Sequence, residues 1–266
     1  MSELKGKTAL ISGGARGIGY SIASTFLDAG ANVLITDILE EDGIKAAKNL
    51  SDKEGKVLFI QHDVTSEESW INAVEFCSKN FSKLNILVNN AGIYSSSNVE
   101  NTSLEDWKKM FEINVEGVFL GTKSALNEMK KSSLGQEESG SIINLSSIAG
   151  LVGSSGHGAY TASKGAVKLF TKSCAIEFAG LDYNIRVNSI HPGVIETDMG
   201  AQVISNVSEN LELGDNEAKE MTALMHPVKR MGVPGEIAEL ALFLASKRSS
   251  FITGAEMVID GGFTAK

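Results

Sequence analysis

Tyr160 and Lys164 stand four residues apart at the end of SIAGLVGSSGHGAYTASK (147–164). The segment that follows, GAVKLFTKSCAIEF, places Val167, Phe170, Cys174 and Phe178 at helical spacing, which sets the tyrosine and the lysine on one helix face. A phenol has a reference pKa of about 10 and is a poor base near neutrality. A neighbouring ammonium favours the phenolate and lowers that value, so the phenol can take or give a proton at neutral pH. Ser147 lies 13 residues before Tyr160, just past an apolar run, where its hydroxyl can hold a substrate oxygen. A helix with a surface tyrosine and lysine would show the same spacing, so the meaning depends on the elements that position the pair.

Those elements begin with KTALIS (7–12), then GGARGIG, then SIASTFLDAGA: a strand, a glycine turn and a helix. Gly13, Gly17 and Gly19 follow the pattern G-x-x-x-G-x-G. A helix N-terminus offers unpaired N–H groups and a positive dipole end, and glycines let a pyrophosphate approach. NVLITD (32–37) is a second strand ending in Asp37. A carboxylate there, some 20 residues past the glycines, can bind both ribose hydroxyls of an adenosine and repels a 2′-phosphate, which favours NAD over NADP. Arg16, inside the glycine loop, is the opposing signal, since a cation there could contact a phosphate. The plain structural alternative is that Asp37 caps a helix over 40–50.

KVLFIQHDV (56–64) reads as a third strand ending at Asp63, and TSEE (65–68) as a capping box opening a helix to about Phe81. NILVNNAG (85–92) reads as a fourth strand. Asn89 and Asn90 could brace neighbouring strand ends and Gly92 could let a cofactor lie against backbone, or the segment is an ordinary turn. TSLE (102–105) opens a helix through Asn114 to about Lys130; an asparagine on its apolar face (Met110, Ile113, Val118) requires buried partners. KKSSLGQEESG (130–140) reads as an exposed loop. SIINLS (141–146) delivers Ser147 from a fifth strand, NIRVNSIHPG (184–193) is a sixth ending in Pro192 and Gly193, and GAEMVIDGG (254–262) is the last, after a helix begun by Pro234 (234–245). Residues 194–232 hold no clear strand but are dense in Met199, Val203, Ile204, Val207, Leu211, Leu213, Met221, Leu224 and Met225 among acids, which predicts a substrate lid over about 194–226. Strands alternating with helices predict an α/β fold: a doubly wound parallel sheet of about seven strands, in a single domain over 1–266.

Composition narrows the partners. The 266 residues carry 24 Lys and Arg against 33 Asp and Glu, a net charge of −9 without a basic block, which argues against nucleic acid and anionic membrane. The opening MSELKGKTALISGG has only a short apolar run, Ala9 to Ile11, too short for a signal-peptide core, and no run approaches the 18 residues of a membrane span. Cys77 and Cys174 each fall in an expected helix and read as small buried hydrophobes, so a reducing cytoplasm is expected. His62, His191 and His226 show no metal-ligand spacing, and no metal is expected.

Taken together, SGGARGIG (12–19), DV (63–64), NNAG (89–92), Asn114, Ser147, YTASK (160–164), VNSIHPG (187–193) and DGG (260–262) give a chain that resembles the short-chain dehydrogenase/reductase family over nearly its whole length. The resemblance implies a Rossmann-type fold, a single dinucleotide-binding catalytic domain over 1–266 and a catalytic tetrad. Tyr160 would be the acid/base and Ser147 would orient the substrate oxygen. Lys164 would bind the nicotinamide ribose and lower the Tyr160 pKa, and Asn114 would hold a water in the proton path. It assigns Gly13, Arg16, Gly17, Ile18, Gly19, Asp37, Asn90, Ala91 and Gly92 to the cofactor, with Asp63 and Val64 at the adenine and Pro192, Gly193, Ile195 and Thr197 toward the nicotinamide. Ser12 stands where threonine is usual and keeps the hydroxyl. His157, on the loop that borders the substrate in this family, reads as an exposed side chain.

The stretches IHPG, VGSSGHGAYTASKGAV and GGFTAK look like those of NAD(P)-dependent secondary and cyclic alcohol dehydrogenases and hydroxysteroid dehydrogenases. The implied substrate is a small hydrophobic alcohol or ketone, and the implied assembly a homotetramer built on the two longest helices and the C-terminal segment. A 3-oxoacyl-thioester reductase would prefer NADPH and a basic patch. A non-catalytic NAD sensor would not need the Ser-Tyr-Lys set. A sugar-nucleotide epimerase would show G-x-x-G-x-x-G in a longer chain.

Overall fold

The computed structural model describes residues 2–133, 135 and 139–265. Among them, strands β1 (Thr8–Ser12), β2 (Asn32–Asp37), β3 (Val57–Gln61), β4 (Ile86–Asn89), β5 (Gly140–Leu145), β6 (Ile185–Pro192) and β7 (Glu256–Ile259) form one parallel sheet in the order β3-β2-β1-β4-β5-β6-β7. The central strands are continuous apolar runs because helices cover both faces. Neighbouring residues on one strand serve opposite layers. Ile11, Val33, Val88 and Ile143 pack under α1 (Gly17–Asp28) and α9 (Pro234–Ala245). Leu10, Leu34, Leu87 and Ile142 pack under α3 (Glu67–Phe81), α5 (Gly117–Ser133) and α6 (Gly158–Gly180). The remaining helices are α2 (Glu40–Asn49), α4 (Leu104–Phe111), α7 (Asp198–Leu211) and α8 (Asp215–Leu224). None of the described helices is long and apolar enough to cross a membrane.

The doubly wound sheet is the expected one, with local corrections. Strand β3 stops at Gln61, where its pairing with Asp37 ends, so Asp63 and Val64 belong to the following loop; β4 likewise stops at Asn89. Both helix caps sit one residue later than expected. Thr65 is held by Asp63, to which its N–H and hydroxyl donate at 2.9 and 2.8 Å, so Ser66 caps α3 by accepting from the Ser69 N–H. Thr102 donates to the Asn98 carbonyl, so Ser103 caps α4. The helix through Asn114 is interrupted by a π turn, Glu112–Glu116. The supposed loop 130–140 is helical to Ser133, and residues 134 and 136–138 of it lie outside the described residues.

His62 follows β3 in full burial, its Nδ1 sharing a 2.8 Å hydrogen bond with Thr36 Oγ1 and its ring edge-on to Trp70. Burial pushes its pKa from 6.5 down to about 4, against a smaller upward pull from Asp63. The folded protein therefore keeps His62 neutral where the unfolded chain already takes up a proton. This contribution to stability is complete above pH 6.5 and is lost as pH falls toward about 4, by at most about 3 kcal/mol. In urea titrations, His62→Gln should flatten the acid-side fall in stability across that window; slopes equal to wild type would place its origin elsewhere.

Candidate active site

The sheet order reverses between β1 and β4, and a crevice opens there outside the carboxyl ends of the strands. It widens into a cleft of about 1230 Å³. Of the residues expected at the site, Gly13, Arg16, Gly17, Ile18, Asp37, Asp63, Val64, Asn90, Ala91, Gly92, Ser147, Tyr160, Lys164, Pro192, Gly193, Ile195 and Thr197 all line this cleft. Gly19 and Asn114 stand behind it.

The glycines differ in purpose. Gly17 has φ +58°, and a Cβ there would reach 3.4 Å from the Thr197 methyl across the cleft, so its bareness leaves room beside the N-terminus of α1. Gly19 is a packing requirement: a Cβ would lie 2.1 Å from the Gly13 carbonyl oxygen. Asn90 ties the loop to β1, its Nδ2 donating to the Ser12 and Gly13 carbonyls, and Asn89 spans to Asn144. These side chains brace strand ends, and Asn90 does so through its Nδ2 while it also lines the cleft. Asp37 accepts from the Ala15 N–H through Oδ2 and the Leu39 N–H through Oδ1, both at 3.1 Å. Each oxygen keeps a further lone pair. Arg16 is paired with Asp198 at 2.9 Å in the first turn of α7, both side chains well exposed.

Strand β5 delivers Ser147, and α6 presents Tyr160 and Lys164 one turn apart, all three buried. The Ser147 side chain stands near enough to Tyr160 to act on its titration. Burial dominates its titration and pushes it up to about 12; the Ser147 hydroxyl pulls it down and Tyr94 pushes it up. The lowering expected from Lys164 is not seen. Burial also moves Lys164 itself, down to about 8. Its ammonium lies 5.8 Å from the Tyr160 ring centre and donates to the Leu145 carbonyl at 2.9 Å. No carboxylate pairs with Lys164 among the described residues, so an ammonium with spare donors lines the cleft. This fits a ligand that brings hydroxyl groups.

Asn114 is fully buried and finds the partners that its position demands. Its Oδ1 accepts from the Ile93 N–H at 2.8 Å, and its Nδ2 donates to the Ile93 carbonyl and to Ser163 Oγ. A water at Asn114 would have to use the second Oδ1 lone pair or the main chain.

From β6 the chain passes Gly193 and Ile195 to Thr197, which caps α7 by accepting from the Gly200 N–H. Helix α7 carries Met199 over the site, its sulfur 4.0 Å from the Tyr160 hydroxyl. Val203, Val207 and Met225 also line the cleft, whereas Leu211 is half exposed and lies outside it.

Two histidines hold this region from behind. His191 Nδ1 bonds the Ser147 carbonyl at 2.9 Å, and its pKa is lowered chiefly by burial. His226 Nε2 accepts from the Val194 N–H, and its Nδ1 bonds the Thr222 carbonyl. Sequence reasoning missed both roles, although His191 and His226 stand out as polar residues beside Pro192 and Pro227. It also missed Tyr94 and Asn206. His157, read as exposed, is half-buried, with Nε2 2.7 Å from the Tyr94 hydroxyl, because Tyr94 folds over it from the loop after β4.

Comparison with known proteins agrees with this geometry. A family model described as enoyl-(acyl carrier protein) reductase matches residues 13–264. The NADP-dependent (R)-specific alcohol dehydrogenase of Lentilactobacillus kefiri is 41% identical over 264 residues, covering 99% of each chain. The cyclopentanol dehydrogenase of Comamonas testosteroni is 42% identical over 267 residues, covering 100% of each. The 3-alpha-(or 20-beta)-hydroxysteroid dehydrogenase of Mycobacterium tuberculosis is 40% identical over 263 residues, 99% of this chain and 91% of its own. With the crevice, the glycine loop and the Ser147, Tyr160 and Lys164 cluster in one cleft, this similarity over the full length shows that the chain belongs to the short-chain dehydrogenase/reductase family of nicotinamide-dependent oxidoreductases.

Proposed function

We propose that the protein is an NAD-dependent dehydrogenase that interconverts a hydrophobic secondary alcohol, cyclic or hydroxysteroid-like, with its ketone by hydride transfer. One observation carries the reading: the buried Tyr160, near Ser147, opens onto an apolar cleft that also holds a buried lysine with no carboxylate partner among the described residues and a carboxylate at the tip of β2. The nicotinamide, when bound, supplies the hydride chemistry, and the protein supplies orientation and proton transfer.

The chain's own residues divide that work. Ser147 holds the substrate oxygen, with its backbone pinned by His191. Tyr160 is protonated at neutral pH, the state that gives a proton to the oxygen of a ketone under reduction. Lys164 takes the nicotinamide ribose hydroxyls with its spare donors, and Asn114 fixes Ile93 beside Gly92. Asp37 takes the adenosine ribose, and Arg16, Gly17 and Ile18 at the start of α1 meet the pyrophosphate, with Gly13 and Gly19 shaping the loop. Asp63 and Val64 border the adenine. Ala91 and Gly92 follow the backbone of the cofactor. Pro192, Gly193, Ile195 and Thr197 meet the nicotinamide end.

Helices α7 and α8 act as the lid over about 194–226. Its pocket side is Met199, Val203 and Val207; Leu211, expected there from sequence, faces away. A second reading, reduction of a carrier-bound acyl thioester, has in its favour the description of the matching family model. The lid weighs against it: Asp198, Glu209, Glu212, Asp215, Glu217 and Glu220 would repel an acidic carrier. Initial rates with NADH on cyclic ketones and on 3-oxoacyl thioesters separate the two.

The assembly proposed is a homotetramer. Supporting it are Phe119 on α5, Leu169 and Ile176 on α6, and Phe251 and Val258 near the C-terminus, all large, apolar and exposed. The buried free thiols of Cys77 and Cys174 suit the reducing cytoplasm, the compartment proposed.

A further inference from the structure

One directional chain of hydrogen bonds joins three distant segments at the substrate end of the cleft. The Ser155 carbonyl, 2.6 Å from His157 Nδ1, can only accept, so Nδ1 carries the proton of the neutral ring. Nε2 is then an acceptor, and the Tyr94 hydroxyl, 2.7 Å away, donates to it. Burial raises the Tyr94 pKa above its ordinary value, so that proton is retained. With its proton given to His157, the Tyr94 oxygen accepts from Asn206 Nδ2 at 3.1 Å. Asn206 lies on α7, seven residues beyond Met199 and so on the same helix face. The Tyr94 ring stands edge-on to the Tyr160 ring, with centres 5.2 Å apart. The two loops are also joined independently of this chain, Ser97 N–H donating to the Gly156 carbonyl at 2.7 Å.

We propose that Tyr94 is a specificity-determining residue: its hydroxyl latches α7 to the 154–157 loop, and its ring forms the wall against which a cyclic ketone lies. The inference rests on the dehydrogenase reading of the same site. Proton transfer to a carbonyl needs neither an aromatic ring beside Tyr160 nor a bridge to the lid, and the geometry supplies both in one side chain. A ring substrate spans from the Tyr160 hydroxyl to the Tyr94 face and is held when α7 is held. Acetone is too small to use that wall.

The test uses the full-length chain with NADH and compares cyclohexanone with acetone. Tyr94→Phe keeps the ring and removes the latch, Asn206→Ala removes the latch from the other side, and Tyr94→Leu removes the wall. Tyr94→Phe and Asn206→Ala should each lower the cyclohexanone-to-acetone ratio of kcat/KM about tenfold, chiefly through the KM for cyclohexanone. The double variant should fall no further than either alone, since one latch serves both. Tyr94→Leu should lower the ratio more than Tyr94→Phe. A ratio unchanged in Tyr94→Phe, equal losses for both ketones, or additive effects in the double variant would overturn the proposal. A wild type inactive on both ketones would defeat the dehydrogenase reading itself, whereas an active wild type with a silent latch would defeat only this inference.

Discussion

Tyr160→Phe is expected to lower ketone reduction by at least about a thousandfold, while the affinity for NADH stays within about threefold of wild type. The substitution removes one oxygen from a buried ring that keeps its place against Tyr94. General acid–base catalysis is worth about a hundred- to ten-thousandfold, and a thousandfold corresponds to about 4 kcal/mol of transition-state stabilisation. The upper part of that range is expected because the ring is buried and meets only the cleft, where a bound substrate would displace water that could replace the hydroxyl. NADH affinity, followed by fluorescence, should hardly move, because the spare donors of Lys164 and the Asp37 carboxylate are untouched. Turnover within about tenfold of wild type would end the assignment of Tyr160 as proton donor.

Cofactor choice carries the second large effect. Asp37 is aimed by two backbone N–H groups, from Ala15 in the glycine loop and from Leu39, and each oxygen still has a lone pair for a ribose hydroxyl. Charge-assisted bonds of this kind are strong. A 2′-phosphate would set roughly two negative charges against the same carboxylate. Arg16 could relieve that repulsion, but it already pairs with Asp198, and an exposed pair of this kind contributes under about 1 kcal/mol either way. The wild type should prefer NADH over NADPH by at least about a hundredfold in kcat/KM, or about 2.7 kcal/mol. Asp37→Ser should erase most of the preference, and Ile38→Arg, at an exposed neighbouring position, should begin to invert it. The L. kefiri relative is named NADP-dependent, so the expectation of NAD for this chain rests on Asp37 and not on that similarity. A wild type that uses NADPH as readily as NADH would mean that Arg16 outweighs Asp37.

The sheet and the Tyr160 helix were legible because burial on both faces writes strands as apolar runs and one-sided burial writes helices at a 3.6 period. The glycine loop was legible in part for a local reason: Gly19 answers to the Gly13 carbonyl of its own strand–turn–helix unit, whereas Gly17 faces Thr197 across the cleft. What escaped was set by distant contacts. The π turn at Asn114 has no local pattern; it coincides with an amide bonded to Ile93, 21 residues away. His157 looked exposed because its partner, Tyr94, lies 63 residues earlier in a polar loop. Helices α7 and α8 went unread among their interleaved acids, although Thr197 before Asp198 is a cap signal. The pairing of Tyr160 with Lys164 was readable, but the depth of their burial was not. That depth decides the titration, leaving the phenol near 12 and the ammonium near 8.

The central claim is that this cleft performs NAD-linked reduction of a hydrophobic ketone. It is tested most directly by initial rates of NADH consumption on cyclohexanone and cyclopentanone beside a 3-oxoacyl thioester. The apolar, acid-rimmed cleft with protonated Tyr160 predicts that the cyclic ketones exceed the thioester at least about a hundredfold in kcat/KM, or about 2.7 kcal/mol. A thioester turned over as well as the ketones, or no NADH consumption with either cyclic ketone, would contradict it.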